Sequence, residues 1–424
     1  MDDDFIQIKE TKQERVYKNF EIFSFIRRNE NSENPTLSFI NNLNNEIKNF
    51  LEFLKPTNEE IILRKFMTEK IKNIIIQDVK EINQRDNKKN QISDLHVQKK
   101  DQKKKRNSKK NSQQKIDEPS VHCFGSYETG LFLPGSDIDM TLFTENTDAL
   151  RHLQYTLSKN PLIFSKSIIF LSKAKIPILR FMDICHFRYD LCLNQETGLL
   201  QTAFIKKELE KCPNMKYFII FIKYFLKTRE LNESRRGGLF SYAQIIMIMN
   251  FFNLHPMIQK GIKILPNLAV LLLDFFQLYG QDFSYQNATI CFDGYKPKEN
   301  SQFLSIEDPV CYDDIANPNR FFDEKIKISS RQEKESKRNL NDGGSSNSSN
   351  NHNGSSDLGY PVTNMSAIKD VFFNSFKIMS NLSKYKLGDK FIVLPLWIKI
   401  GKYELNWRQN VQHFYEEIVV KNRI

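Results

Sequence analysis

The run FGSYETGLFLPGSDIDM, Phe124 to Met140, constrains this chain of 424 residues more than any other stretch. It closes on two aspartates separated by one residue, Asp137 and Asp139. In an extended strand such residues point to the same face, so their carboxylates stand side by side and repel unless a cation lies with them. Mg2+ is the usual answer, since it is held by one or two carboxylates together with substrate phosphate oxygens. Eleven residues before Asp137, the pair Gly125-Ser126 follows an apolar strand, VHCF, and leads into a helix turn, YETG. Glycine lets a backbone approach a phosphate closely, and amides with a serine hydroxyl at a helix start favour anions. Joined, the two features describe a nucleoside triphosphate held at one end and its metal ions at the other. The competing reading is a strand turn with two solvated aspartates.

Two-metal phosphoryl transfer needs a third acidic ligand, because one ion must also bind the attacking hydroxyl. Asp183 and Asp190 are the downstream candidates. Asp190 is central in FRYDLCL, where Tyr189 and Leu191 face the other way and are expected to be buried, whereas Asp183 reads as an exposed turn residue. Asp190 is therefore the choice. Lys223 and Lys227, four apart, share one helix face opposite Phe218, Ile219, Ile222 and Phe225, and could grip a triphosphate. GGLFSY, Gly237 to Tyr242, is a flexible turn into a helix start carrying Ser241 and Tyr242, a hydroxyl and an aromatic that suit a nucleotide. On spacing alone, a solvated lysine pair, an N-cap serine and a core tyrosine are the commoner readings.

The chain around these motifs is long enough for two or three domains, and its 40% hydrophobic content with 34 Phe is ample for real cores. Helical spacing runs from Leu37 to Leu54 and ends at Pro56; a second helix, capped by Thr57 with Glu60 three residues on, runs to about Ile82. Residues 1–35 have no clean periodicity. Strand-like runs at 121–144, 167–170, 176–181 and 187–193, with a helix at 150–158, predict a small mixed sheet. From Gln201 onward the pattern is that of long helices, at 201–211, 214–229, 240–252, 267–278 and 365–379.

Two low-complexity tracts interrupt this order: a basic one at 86–116 and a Ser/Asn/Gly-rich one at 330–358. The net charge of +11 favours a polyanionic partner, and the basic tract holds eleven Lys or Arg against three Asp, leaving about three net positive charges elsewhere. Within it Lys103, Lys104, Lys105 and Arg106 form the densest candidate RNA contact; a spacer or nuclear-import signal is the alternative. The six cysteines show no C-x-x-C spacing and read as reduced thiols, the first thirty residues hold no signal-peptide core, and apolar runs are too short to span a bilayer. A soluble intracellular protein with no membrane partner is expected.

The run 124–140 resembles the signature of DNA-polymerase-β-type nucleotidyltransferases, and most closely the Trf branch of the noncanonical poly(A) polymerases. FLKPTNEEIILR, IPILRF, LNESRRGGLFSYAQIIMIMNFFNLHP, LAVLLLDFFQLYGQDFSY and LSIEDP follow in the same order as in that branch, so the resemblance spans about residues 43–376 without the two tracts. It implies an α+β fold of two domains with the nucleotide in the cleft between them. The catalytic palm domain, a mixed sheet, covers 57–200. The helical central, PAP-associated domain covers 36–56 and 201–424, with a base-recognition loop at 303–320.

By resemblance, Gly125 and Ser126 contact the triphosphate, and Asp137 and Asp139 hold both of two Mg2+ (or Mn2+) ions with Asp190 as third carboxylate. Lys223 and Lys227 reach the β and γ phosphates, Ser241 assists them, and Tyr242 stacks on the base. Glu307 and Asp308 open the base-recognition loop.

There are departures from the family. Thr197-Gly198 stands where it often has Asn-Gly at the sugar, and Asp313-Asp314-Ile315-Ala316 replaces the usual Asn-Asp-Val-Gly of the base loop. Relatives that favour UTP carry a His in that loop; here the nearest, His352, lies in the Ser/Asn tract, which supports adenine. The expected activity is template-independent addition of AMP from ATP to RNA 3′ ends, by in-line attack of the 3′ hydroxyl on the α-phosphate. The resemblance further implies a zinc-knuckle RNA-binding protein and an RNA helicase as partners, and the basic run points to the nucleus, with the cytoplasm as alternative. A uridylyl or mixed-nucleotide transferase and an inactive RNA-binding scaffold are the rival readings.

Overall fold

The computed structural model describes residues 35–98, 118–174, 176–259, 267–299, 302–310, 357–382 and 393–421. The chain forms two compact units, one of Leu54–Thr202 with Gly401–Ile424, the other of Met1–Phe53 with Ala203–Ile400.

In the second unit, helix α1 (Pro35–Leu54) buries Leu43, Ile47, Phe50 and Leu51 at the spacing of one helical face. The first unit begins with α2 (Asn58–Gln98). Its start is fixed by Thr57, whose Oγ1 accepts the Glu60 amide at 3.2 Å, and by acidic Glu59 and Glu60 in the first turn. Leu63, Met67, Ile71, Ile75 and Val79 recur every fourth residue and are fully buried. That stripe lies on a five-stranded sheet built from β1 (Ser120–Phe124), β2 (Ile138–Phe143), β3 (Ile169–Leu171), β4 (Ile178–Met182) and β5 (Arg188–Leu193). Helix α3 (Gly125–Thr129) follows β1, and α4 (Ala149–Leu157) follows β2.

The strand order is β1-β2-β5-β4-β3, with β2 and β5 parallel and the other neighbours antiparallel. Ile138, Met140, Leu179, Phe181, Tyr189 and Leu191 alternate onto the face covered by α2 and α4 and are buried there. Burying a side chain of this size stabilises by about 1.5–3 kcal/mol, so the stripe of α2 and these six residues are the main reason the sheet stands. The intervening residues of β2, β4 and β5 face the other way, which is where the polar groups lie.

The second unit continues through α5 (Thr197–Lys211), which starts in the first unit, then α6 (Met215–Lys227), α7 (Ser241–Leu254), α8 (Pro256–Gln259) and α9 (Leu268–Gln277). A hairpin of β6 (Ala288–Cys291) and β7 (Gly294–Pro297) precedes α10 (Met365–Leu382). The core is aromatic: Phe218, Phe251 and Phe275 stack or meet edge-on, and Phe372 joins Phe275 at 5.4 Å. Buried polar groups of α1 close helix ends within this unit. Glu46 accepts the Val393 and Leu394 amides at 2.9 and 2.8 Å, and Asn44 accepts the Leu268 amide at 2.9 Å.

Three expectations are corrected. Helix α2 does not stop near Ile82 but runs to Gln98, well into the basic tract, because no Pro or Gly interrupts its hydrogen bonding. Residues 99–116 lie outside the described residues. The last helix, α11 (Lys402–Tyr415), does not go with the helical domain, since Trp407 and Val411 are buried in the core of the sheet unit. The β6–β7 hairpin was not foreseen; Asn250 Nδ2 holds it by donating to Cys291 O at 2.7 Å and Gly294 O at 2.8 Å.

Candidate active site

Register brings the carboxylates together. In the parallel pair β2–β5, Asp139 lies directly beside Asp190, and in the antiparallel pair β4–β5, Asp190 lies beside Arg180. Asp139, Asp190 and Arg180 therefore form a row across three strands on the face away from α2, and Asp137 stands just ahead of β2, two residues from Asp139. Tyr189 and Leu191 are fully buried on the opposite face, as the alternation of FRYDLCL requires.

Two arginines meet this cluster. Arg180 grips Asp190 with both ends of its fork, Nε to Oδ1 at 2.7 Å and Nη2 to Oδ2 at 2.6 Å. The hydrogen bond to Asp190 raises the Arg180 pKa, with the charges of Asp190, Asp137 and Asp139 adding to it against partial burial. One guanidinium thus feels all three carboxylates. Arg188 Nε forms an ion pair with Asp137 Oδ1, a buried oxygen, at 2.6 Å. Burial pushes the Asp137 carboxyl up from its ordinary range, Arg188 pulls it down, and the neighbouring Asp190 pushes it up again. Neither arginine was singled out from the sequence. The signal was present: a basic residue at the polar phase of IPILRF, and another two residues before Asp190, on its face.

The donor set fits divalent metal in type. It comprises Asp139 and Asp190 in adjacent registers, with Asp137 two residues ahead of Asp139. In the arrangement seen, cationic side chains take the place of metal charge, and no three His, Cys, Asp or Glu side chains among the described residues close into a ligand group.

Gly125 sits at the β1–α3 junction with φ +70°, and a Cβ there would lie 2.6 Å from Asp139 Oδ2. Its amide is already committed to Thr202 Oγ1 at 2.7 Å, so the contribution of Gly125 is space beside Asp139; the neighbouring Ser126 is half-buried. Thr197 and Gly198 open α5. Gly198 packs on the Phe124 ring, where a Cβ would lie 2.6 Å away, and its carbonyl accepts Thr202 Oγ1 at 2.7 Å.

Asp183 is corrected: it is not an exposed turn residue but fully buried, accepting the Cys185 and Phe187 amides at 2.9 Å each and Tyr189 Oη at 2.8 Å. It ties the β4–β5 link and is removed from the carboxylate row.

In the helical unit, Lys223 is 6% exposed and Lys227 half-buried on α6, so the lysine face is not the solvated one that spacing alone allows. Ser241 and Tyr242 open α7, and Tyr242 Oη donates to Asp308 Oδ1 at 2.8 Å. Burial, then the Asp308 charge and this bond, raise the Tyr242 pKa and keep its hydroxyl protonated. The segment bearing Glu307 and Asp308 is held by Asp357, which accepts Ser305 Oγ at 2.7 Å and the Ile306 amide at 2.8 Å, while Lys296 Nζ reaches both Glu307 oxygens at 2.8 Å. Asp313, Asp314 and the basic residues Lys103, Lys104, Lys105 and Arg106 lie outside the described residues. The five described cysteines are unpaired, and none of the described helices is long and apolar enough to cross a membrane.

Two segments of the chain are similar to known protein families. Residues 80–207 match the family model of the central palm domain of mitochondrial-like poly(A) RNA polymerases, and residues 267–313 match that of the Cid1 family of poly(A) polymerases. Poly(A) RNA polymerase protein 1 of Eremothecium gossypii is 37% identical over 180 residues, 41% of this chain and 28% of that protein. Poly(A) RNA polymerase protein 1 of Saccharomyces cerevisiae is 30% identical over 287 residues, 63% of this chain and 39% of that protein. The chain thus matches well under half of the length of these relatives. A solved polymerase core of TRAMP, an RNA surveillance complex, shares the fold with a TM-score of 0.56 at 23% identity, covering 84% of this chain and 94% of that one.

Proposed function

From a chain that is a homologue of the Trf-type noncanonical poly(A) polymerases and carries their palm and PAP-associated segments, we propose a template-independent transferase that adds AMP from ATP to RNA 3′ ends. The observation that carries this reading is the register setting Asp139 beside Asp190 with Asp137 two residues ahead, next to the space left by Gly125. Asp137, Asp139 and Asp190 would hold two Mg2+ ions, which when bound supply Lewis-acid stabilisation of the charge on the reacting phosphate.

The chain's own groups do the rest. Asp190 is the carboxylate assigned to receive the proton of the RNA 3′ hydroxyl, and for this it must leave the fork of Arg180. Ser126 is assigned to the triphosphate beside the space that Gly125 keeps open, and Thr197 to the sugar. Lys223 and Lys227 are assigned to the outer phosphates, Ser241 to their support and Tyr242 to the base, its hydroxyl tethered by Asp308. A role in nuclear RNA surveillance, with a zinc-knuckle RNA-binding protein and a helicase as partners, is added to the same proposal on the strength of the family resemblance in the sequence.

Primer extension on a 5′-labelled oligoadenylate RNA with Mg2+, each NTP offered separately, tests the reading on wild type and on Asp137→Ala/Asp139→Ala. Extension with ATP, lost in the double variant, is the expected result. Extension chiefly with UTP would keep the carboxylate site and overturn the base. RNA binding without extension by any NTP, alone or with cell extract added, would leave a scaffold.

A further inference from the structure

The loop that presents Asp137 is shaped from behind by a buried cation. Arg64, on α2, is 0% exposed, among the largest fully buried side chains of the described residues. Its Nη1 donates to the carbonyl of Ser136, the residue before Asp137, at 3.2 Å, and its Nε donates to Glu60 Oε1 at 3.0 Å. The loop itself is closed by Ser136, whose amide donates to Leu133 O and whose Oγ accepts the Leu133 amide, both at 2.9 Å. A shift of Arg64 is therefore passed to a short, internally bonded loop whose next residue is the candidate ligand.

What keeps Arg64 in place comes from the far end of the sequence. Its guanidinium lies 5.5 Å from the Trp407 ring centroid and 4.7 Å from that of Phe187. Trp407 Nε1 donates to the same Glu60 oxygen at 3.1 Å, and Arg408 Nη1 donates to the other oxygen at 3.0 Å. Glu60 is thus a buried carboxylate satisfied by α2 on one side and α11 on the other; removing either partner leaves a buried charge short of its bonds. On the outer side of the loop, Tyr403 of α11 lies so close to Gly135 that a Cβ there would meet its Oη at 2.0 Å.

We propose that Arg64 is a positioning residue for Asp137, and that α11 holds it in register, so that the last helix of the chain sets the affinity of the carboxylate row for divalent metal. This rests on the nucleotidyl-transfer reading above. Groups that orient metal ligands typically change affinity ten- to a hundredfold when altered, and small misplacements of reacting groups have effects of that order on rate.

The experiment is Mn2+ binding to the full chain, followed by electron paramagnetic resonance with a non-hydrolysable ATP analogue present. Arg64→Lys, Arg64→Met and Tyr403→Ala are compared with Leu153→Ala, a core change on α4 remote from the loop in sequence. Arg64→Met is expected to weaken Mn2+ binding by about tenfold or more, Arg64→Lys by less, and Tyr403→Ala by about threefold, with Leu153→Ala at the wild-type value despite lower stability. If the Arg64 variants do not fold, Tyr403→Ala, whose side chain is half-exposed, decides alone. Wild-type Mn2+ affinity in every one of these variants that folds, Tyr403→Ala among them, would overturn the proposal. A wild type that binds Mn2+ yet extends no RNA with any NTP, alone or with cell extract added, would sink the transferase reading, while the order of Mn2+ affinities would still decide the part played by Arg64.

Discussion

A carboxyl group shut away from water pays its desolvation in the charged form, and Asp183 is where this chain shows it. Burial pushes its pKa up from 3.8 to about 7, against the pull of the Tyr189 hydroxyl, the Phe187 and Cys185 amides and the Arg64 charge. A folded-state pKa above the unfolded value favours folding when the group is protonated. The contribution is complete below about pH 4 and is lost as pH rises through about 7, a span of at most about 4 kcal/mol at 1.36 kcal/mol per unit. Asp183→Asn keeps an oxygen for the two amides and removes the charge. Its unfolding free energy by urea titration should be flatter than wild type between pH 4 and 8, with the difference growing in favour of the variant toward pH 8. Parallel pH profiles for the two proteins would show that Asp183 stays ionised throughout. Because Asp183 stands apart from the carboxylate row, primer extension by Asp183→Asn should stay within about threefold of wild type, in line with a change that costs little stability.

At the scale of elements, the β1–α3 junction is the place where backbone shape and site chemistry meet. Gly125 has φ +70°, and its missing side chain is the space occupied by Asp139 Oδ2. Gly125→Ala should cost about 1–2 kcal/mol of stability from the left-handed backbone and the forced shift of Asp139. It should lower kcat in primer extension by about a hundredfold or more, since the displaced group is one of the three carboxylates. A thermal melt beside the extension assay checks both; a stable, fully active variant would remove Gly125 from the site. This junction was legible in the sequence because Gly-Ser between a strand and a helix turn is joined eleven residues later by Asp-x-Asp, and the stripe of α2 was legible because Leu63, Met67, Ile71, Ile75 and Val79 repeat every fourth residue. What local pattern could not give were partnerships across the sequence. Arg180 and Arg188 are ordinary basic residues until register places them on Asp190 and Asp137. Trp407 gave no sign of its fold partner, because nothing in α11 says that it packs on Glu60 and Arg64 some 350 residues earlier. Asp183 misled for the same reason: a turn position predicts exposure unless amides and a tyrosine from the next strand close over it.

For the molecule as a whole, charge placement decides where the RNA of the proposed reaction would be met. Of the net +11, a surplus of eight belongs to residues 86–116, so most of the polyanion attraction has one address in the sequence. Binding to single-stranded nucleic acid through phosphate neutralisation weakens with salt, with a log–log slope of about −0.7 per phosphate engaged. Replacing Lys103, Lys104, Lys105 and Arg106 by Gln removes four positive charges without touching α2, which ends at Gln98. If each of the four engages a phosphate, the slope of RNA affinity between 50 and 200 mM salt should become shallower by about 3, and the variant and wild type should converge at the highest salt. Catalysis on a short primer at saturating concentration should be unchanged, because the carboxylate row and its arginines lie on β2, β4 and β5 and not in the tract. An unaltered slope would assign the tract to spacing or import, and RNA capture would then fall to a partner protein, which the salt dependence of the assembled complex would reveal by exceeding that of this chain alone.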